Sequence, residues 1–163
     1  MLEVINTRRS VRKWRPEKVS EADIREILEA AMNAPSAGNE QAWQFVVLTG
    51  ETLEKYLAIN PNAAKGAPVG ILVCGDRKAQ KYEGFYPQDC AAATQNILLA
   101  VHAKGLGGVW TTVFPPNAAP VRKLLGLPED VVPFSFVPFG HPDPATQEYV
   151  SRFDENKVHN NRW

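Results

Sequence analysis

Residues 88–108 read Gln-Asp-Cys-Ala-Ala-Ala-Thr-Gln-Asn-Ile-Leu-Leu-Ala-Val-His-Ala-Lys-Gly-Leu-Gly-Gly, and the fold turns on this stretch. Between Gln88 and Lys104, Ala91, Ala92, Ala93, Ile97, Leu98, Leu99, Ala100, Val101 and Ala103 leave a helix almost no polar face. A helix apolar all round must be buried all round. In a chain of 163 residues that requires a central position or a partner subunit. The small alanines of the first turns admit close helix–helix approach, which favours the partner. Gly105-Leu106-Gly107-Gly108 stops the helix.

Outward from this helix, shorter elements alternate. Leu2, Val4 and Ile5 form one or two apolar-periodic turns. Ser20 is an N-cap signal with Asp23 three residues on, and Ile24, Ile27, Leu28, Ala31 and Met32 then mark an amphipathic helix that Pro35 ends. Trp43–Leu48, Val69–Cys74, Val109–Phe114 and Val131–Phe139 read as strands, and Glu51–Ile59 and Pro116–Leu125 as helices. Pro133 and Pro138 place the last strand near a sheet edge, where a missing amide is tolerated. From His141 to Trp163 no apolar period remains, but Tyr149, Phe153 and Trp163 suggest a tail lying against another surface.

Composition narrows the function. Apolar residues make up 44% and charged residues 22%, and the formal net charge is zero. No global field favours nucleic acid, so the five basic residues from Arg8 to Arg15 are a local feature suited to a small anion. No window has the length of a membrane span. Cys74 and Cys90 have neither the spacing nor the histidines of a metal site, so two buried thiols in a reduced, cytoplasmic protein are expected. His102, His141 and His159 read as packing or turn residues, and no metal is expected.

Within the basic segment, Arg8-Arg9-Ser10-Val11-Arg12 puts three guanidiniums around a hydroxyl. Guanidinium offers planar bidentate donors that stay charged, which suits a phosphate dianion. A basic pentapeptide alone is more often solvated surface. Neither the dinucleotide fingerprint nor the P-loop occurs, so a phosphorylated cofactor would be held by side chains and not by a glycine loop.

Several motifs in fixed order then resemble the nitroreductase family of flavoproteins. They are Arg8–Arg12, Ala34-Pro-Ser-Ala-Gly-Asn39 with Gln41 and Trp43, Ala67-Pro68, and Asp89–Leu99 leading into Gly105–Trp110. Gly140-His-Pro142, Arg152 and His159–Trp163 complete the match, which spans nearly the whole chain. Ala42 departs from the proline usual before the tryptophan.

The resemblance implies a single α+β domain over residues 1–163, with a central, mostly antiparallel sheet flanked by helices. It also implies an intertwined homodimer around a long buried helix, with one FMN per subunit at the interface. By the same resemblance Arg8, Ser10 and Arg152 would bind the FMN phosphate with Arg9 nearby, and Arg12 would reach the pyrimidine end of the ring. Pro35, Ser36, Ala37 and Asn39 would cover the flavin from the other subunit. Trp110, Thr111 and Thr112 would run along the ring, and Asn62 with Lys65 would sit beside the pyrimidine.

The implied activity is ping-pong transfer of hydride from NADH or NADPH to a nitroaromatic, quinone or related acceptor. No acid–base or nucleophile constellation is required, because flavin N5 carries the hydride. Phe85 and Tyr86, in the polar loop Tyr82–Gln88, are candidates for acceptor stacking, whereas Trp43 and Trp110 read more readily as core aromatics. A flavin-storage protein, or dehalogenation, ene reduction or flavin cleavage on the same fold, are the alternatives.

Overall fold

The computed structural model describes residues 2–61, 63, 65–143 and 151–163. Its centre is an antiparallel sheet of five strands: β1 (Trp43–Thr49), β2 (Val69–Asp76), β3 (Gly107–Gly108), β4 (Thr111–Thr112) and β5 (Val131–Gly140), in the order β1-β2-β5-β3 with β4 also on β5. Among the described residues five α-helices surround it: α1 (Leu2–Thr7), α2 (Glu21–Met32), α3 (Gly50–Ile59), α4 (Tyr86–Ala103) and α5 (Pro115–Leu125).

Side chains alternate across β2 and β5 as a pleat requires. Val69, Ile71, Val73, Val137 and Phe139 join Ile27 and Ala31 of α2 and Ala93, Ile97 and Val101 of α4 in one core. Leu72, Cys74 and Phe136 join Leu53 and Tyr56 of α3 and Val121 of α5 in the other. With both faces covered, β2 is an unbroken apolar run buried from Val69 to Gly75. Gly70 makes room for Phe136, whose ring would lie 2.1 Å from a Cβ there.

Two strand expectations are corrected. β5 lies inside the sheet, paired with β2 on one side and with β3 and β4 on the other. Its prolines fit because the ladders are interrupted beside them. β3 faces Phe139 and Gly140, β4 faces Ser135 and Phe136, and Pro138 lies beside the gap, its carbonyl accepting from Val109 at 3.3 Å. Pro133 lies past the end of β4, at the register shift opposite Val73 and Cys74. The strand expected over Val109–Phe114 shrinks to β4, and β3 precedes it on Gly107 and Gly108, which were expected only to stop the helix.

Capping follows the sequence. Ser20 accepts from the Asp23 amide at 3.0 Å at the start of α2. α4 stops at Gly105, whose φ is 72°, and Leu106 donates back to Val101 at 3.0 Å, a glycine-dependent helix end. α2 is tied to α4 by Asn96 on the Ala30 carbonyl at 2.9 Å and by Lys104 on Asp23 and Glu26 at 2.8 and 2.6 Å. Within one chain the central position covers only part of α4. Ala91, Ala92, Leu99 and Ala100 are half-buried and Gln95 is exposed. No described helix is long and apolar enough to cross a membrane.

Candidate anion and cofactor site

The segment after α1 runs in extended form across the end of the sheet. Ser10 bridges Gly108, and the Val11 amide donates to the Gly108 carbonyl at 3.0 Å. Trp14 donates its indole N–H to the Gly107 carbonyl at 2.6 Å, while Arg15 donates to His141 at 2.9 Å and Asp143 to Lys13 at 3.1 Å. The two glycines after α4 let the backbones approach this closely. Sequence reasoning missed Trp14, although a tryptophan two residues past the arginines was a signal.

Arg8 and Arg152, from opposite ends of the chain, line one cavity of about 250 Å³ with Ile5, Asn6, Arg9, Ser151 and Phe153. Among the described residues neither Arg8, Arg12 nor Arg152 forms an ion pair with a carboxylate. Burial, then the charges of Arg152 and Arg9, hold the Arg8 guanidinium below its ordinary value. A guanidinium does not deprotonate to escape such repulsion, and a bound anion would relieve it. Arg9 also turns back to donate to the carbonyls of Asn6 and Arg8 at 2.8 Å each, at the end of α1. This donor set fits the phosphate of FMN.

A second cavity, of about 450 Å³, includes Thr7, Arg9, Ser10, Arg12, His102 and Leu106 in its wall. His102 pairs with the Thr7 hydroxyl at 2.8 Å, and burial, then Arg8 and Arg9, lower its proton affinity. It is therefore a hydrogen-bonded packing residue, although it stands beside the arginines.

The other candidates lie elsewhere in the chain. Pro35 and Asn39 are exposed and Ser36 and Ala37 half-buried, and none of the four lines either cavity. Their loop is held internally: Ser36 Oγ accepts from the Gln41 amide at 3.0 Å, and Asp89 Oδ1 from the Ala37 amide at 2.9 Å. Lys65 is exposed, and Asn62 lies outside the described residues, as does Tyr149.

Trp110 is partly exposed with its ring edge-on to Phe134 at 6.0 Å, and the Thr111 hydroxyl donates to the Phe136 carbonyl at 2.9 Å. The Thr112 carbonyl accepts from Asn60, a fully buried side chain that also joins Tyr56 and Asn117. Phe85 is 49% exposed. Tyr86 is corrected from loop to helix: it opens α4, and its ring covers Gly75, where a Cβ would lie 2.0 Å away.

The nitroreductase family model matches residues 5–65 and 57–141. A provisionally named NADH dehydrogenase/NAD(P)H nitroreductase of Methanothermobacter thermautotrophicus is 45% identical over 100% of this chain and 87% of its own. A crystal structure of a provisionally named NADH oxidase from Clostridium acetobutylicum superposes with a TM-score of 0.92 at 34% identity, covering 98% of this chain and 99% of that one. A provisionally named nitroreductase from Desulfovibrio desulfuricans, solved in complex with FMN, reaches 0.87 at 32% identity over 99% and 96% of the two chains. The fold, the order of its motifs and these matches agree: the chain belongs to the nitroreductase family.

Proposed function

We propose that the protein is a cytoplasmic homodimer that binds FMN and passes reducing equivalents from NADH or NADPH to small nitroaromatic, quinone or related acceptors. The cavity shared by Arg8, Arg9 and Arg152 carries this reading. Two ends of the chain converge to concentrate positive charge around a space with ample room for a phosphate group. When bound, FMN supplies the hydride chemistry at its N5.

The protein's own residues bind and orient. Arg8 and Arg152 hold the phosphate from the first cavity, and Ser10 reaches it from the wall of the second, where Arg12 lies farther along the same segment, toward the ring. A fixed cation there, Arg12 or Lys65, favours negative charge on the pyrimidine edge. Trp110, Thr111 and Thr112 supply backbone along the ring. Pro35, Ser36, Ala37 and Asn39 come from the partner subunit, which accounts for their lining neither cavity of a single chain. Phe85 stands exposed for the acceptor.

Reductant and acceptor use one opening in turn, which gives ping-pong kinetics. Anaerobic mixing of the FMN-loaded protein with NADH and with NADPH, followed by a panel of acceptors, tests the proposal. Rapid loss of flavin colour and its return with nitroaromatics or quinones are expected. Flavin that keeps its colour under both nicotinamides would overturn the enzymatic reading in favour of flavin storage.

A further inference from the structure

The Asp89 side chain occupies a position that the reading above leaves unused. It lies on the first turn of α4 and is only 3% exposed. One carboxyl oxygen accepts from the Ala37 amide at 2.9 Å, and the other is buried without a hydrogen-bond partner among the described residues. A half-satisfied buried carboxyl is costly, and where packing alone is needed an apolar side chain does as well or better. The positive end of the α4 dipole offsets only part of that cost.

What Asp89 holds is an unusual loop. Ala37 opens a short 3₁₀ turn, and Gly38, Asn39 and Gln41 all adopt left-handed backbone, with φ of 55°, 56° and 54°. Non-glycine residues in that region persist when their surroundings over-determine them, and such backbone concentrates at functional sites. A second carboxyl anchors the far end of the loop. Glu40 Oε1 accepts from the amides of Lys81 and Tyr82 at 2.9 and 3.1 Å, just before the exposed Phe85.

We propose that Asp89 is a positioning residue for the oxidoreductase reaction: its bond to Ala37 fixes the Pro35–Asn39 loop at the height from which it contacts the flavin of the partner subunit. This inference rests on the proposed placement of that loop over the partner's flavin. Its chemistry is that of a rigid support. A loop with one anchor removed still connects α2 to β1, but it no longer presents its side chains at one distance from the ring.

The test uses the full-length FMN-loaded protein and removes the bond from each side. Asp89→Ala removes the acceptor, and Ala37→Pro removes the donor at the first position of a helical turn, where proline is accepted. Both are expected to weaken FMN binding roughly tenfold and to change the visible-region circular dichroism of the bound flavin. Asp89→Asn keeps an acceptor oxygen and is expected to restore both properties. A merely structural role would shift the melting temperature and leave the flavin spectrum alone.

Asn39→Ala reports separately on the placement of the loop. If it alters FMN affinity or the spectrum while Asp89→Ala and Ala37→Pro do not, Asp89 is no positioning residue and the loop placement stands. If all three leave the flavin unchanged, both fall. Should Asp89→Ala not accumulate as folded protein, Ala37→Pro with Asp89→Asn carries the same comparison. A spectrum from Asp89→Asn that matches Ala37→Pro would overturn the assignment to this hydrogen bond.

Discussion

Gly107 lies beneath Val11 so closely that a Cβ on the glycine would be 2.7 Å from the Val11 Cβ. The contact sets how deeply the arginine segment seats on the end of the sheet. Val11 is β-branched and cannot swing clear, so Gly107→Ala should lift the segment and move Arg8 and Arg12 with it. Overpacking of this kind costs about 1–3 kcal/mol. Chemical denaturation should show that loss together with weaker FMN retention, and adding Val11→Gly, which removes the opposing Cβ, should restore FMN retention. A Gly107→Ala protein of unchanged stability and flavin content would mean that the contact is not tight.

Arg8 and Arg152 should each contribute to phosphate binding. Removing one charge-assisted contact costs about 1.5–3 kcal/mol, roughly ten- to a hundred-fold in FMN affinity. Alanine at either position should weaken binding, measured by fluorescence of the released flavin, and the double variant should weaken it further. Full retention of FMN by the double variant would remove the phosphate from this cavity.

Much of this was legible before the structure. The Ser20–Asp23 cap, the glycine stop at Gly105 and the apolar runs of β2 and α4 are local signals, each written within a few neighbouring residues. The family motifs nominated Arg8 and Arg152, and the structure brought that pair into one cavity. The errors share a cause. Pro133 and Pro138 signal an edge by propensity, but interrupted ladders on the neighbouring strands let an interior strand accept them. Tyr86 read as loop because no local pattern shows that Gly75, a partner remote in sequence, leaves room for its ring. Asp89 was visible as part of a motif, whereas its bond to Ala37 depends on tertiary packing.

Phe85 and Tyr86 should now separate experimentally. Phe85 is half exposed ahead of α4, so Phe85→Ala should raise the acceptor KM by several-fold without changing FMN content or stability. Tyr86 covers Gly75 beside the core, so Tyr86→Ala should destabilise the fold by about 2–4 kcal/mol, as large-to-small changes of packed aromatics do. Steady-state kinetics with several acceptors, alongside thermal melts, checks both. Identical behaviour of the two variants would return Phe85 to a packing role.

Burial pushes the thiols of Cys74 and Cys90 up to about 12, from an ordinary value near 9. In the unfolded chain they ionise near 9, so between about pH 9 and 12 the native state holds more protons than the unfolded state. Their contribution to stability is therefore full below pH 9 and is lost as pH rises through that window, by up to about 1.4 kcal/mol per pH unit for each thiol. Urea melts of Cys74→Ala/Cys90→Ala should lose less stability than wild type over this range. A thiol reagent at pH 8 should modify the denatured protein and leave the native one untouched.

The last prediction concerns assembly. Seen as one chain, the protein leaves Trp163 99% and Phe153 75% exposed, with Ala91, Ala92, Leu99 and Ala100 of α4 only half covered. Burying apolar area is favourable by about 25 cal/mol per Å², and an obligate interface of roughly 2,000 Å² or more would cover both the helix and the tail. The protein should therefore sediment near twice its 18.0 kDa chain mass. Truncation after Asp143 keeps the Lys13–Asp143 and Trp14–Pro142 links to the arginine segment, and it should yield monomers without FMN. Because truncation also deletes Arg152, full-length Arg152→Ala is the control: it should bind FMN poorly yet remain a dimer. A full-length chain that sediments as a monomer and still holds FMN would overturn both the role given to the tail and the shared site.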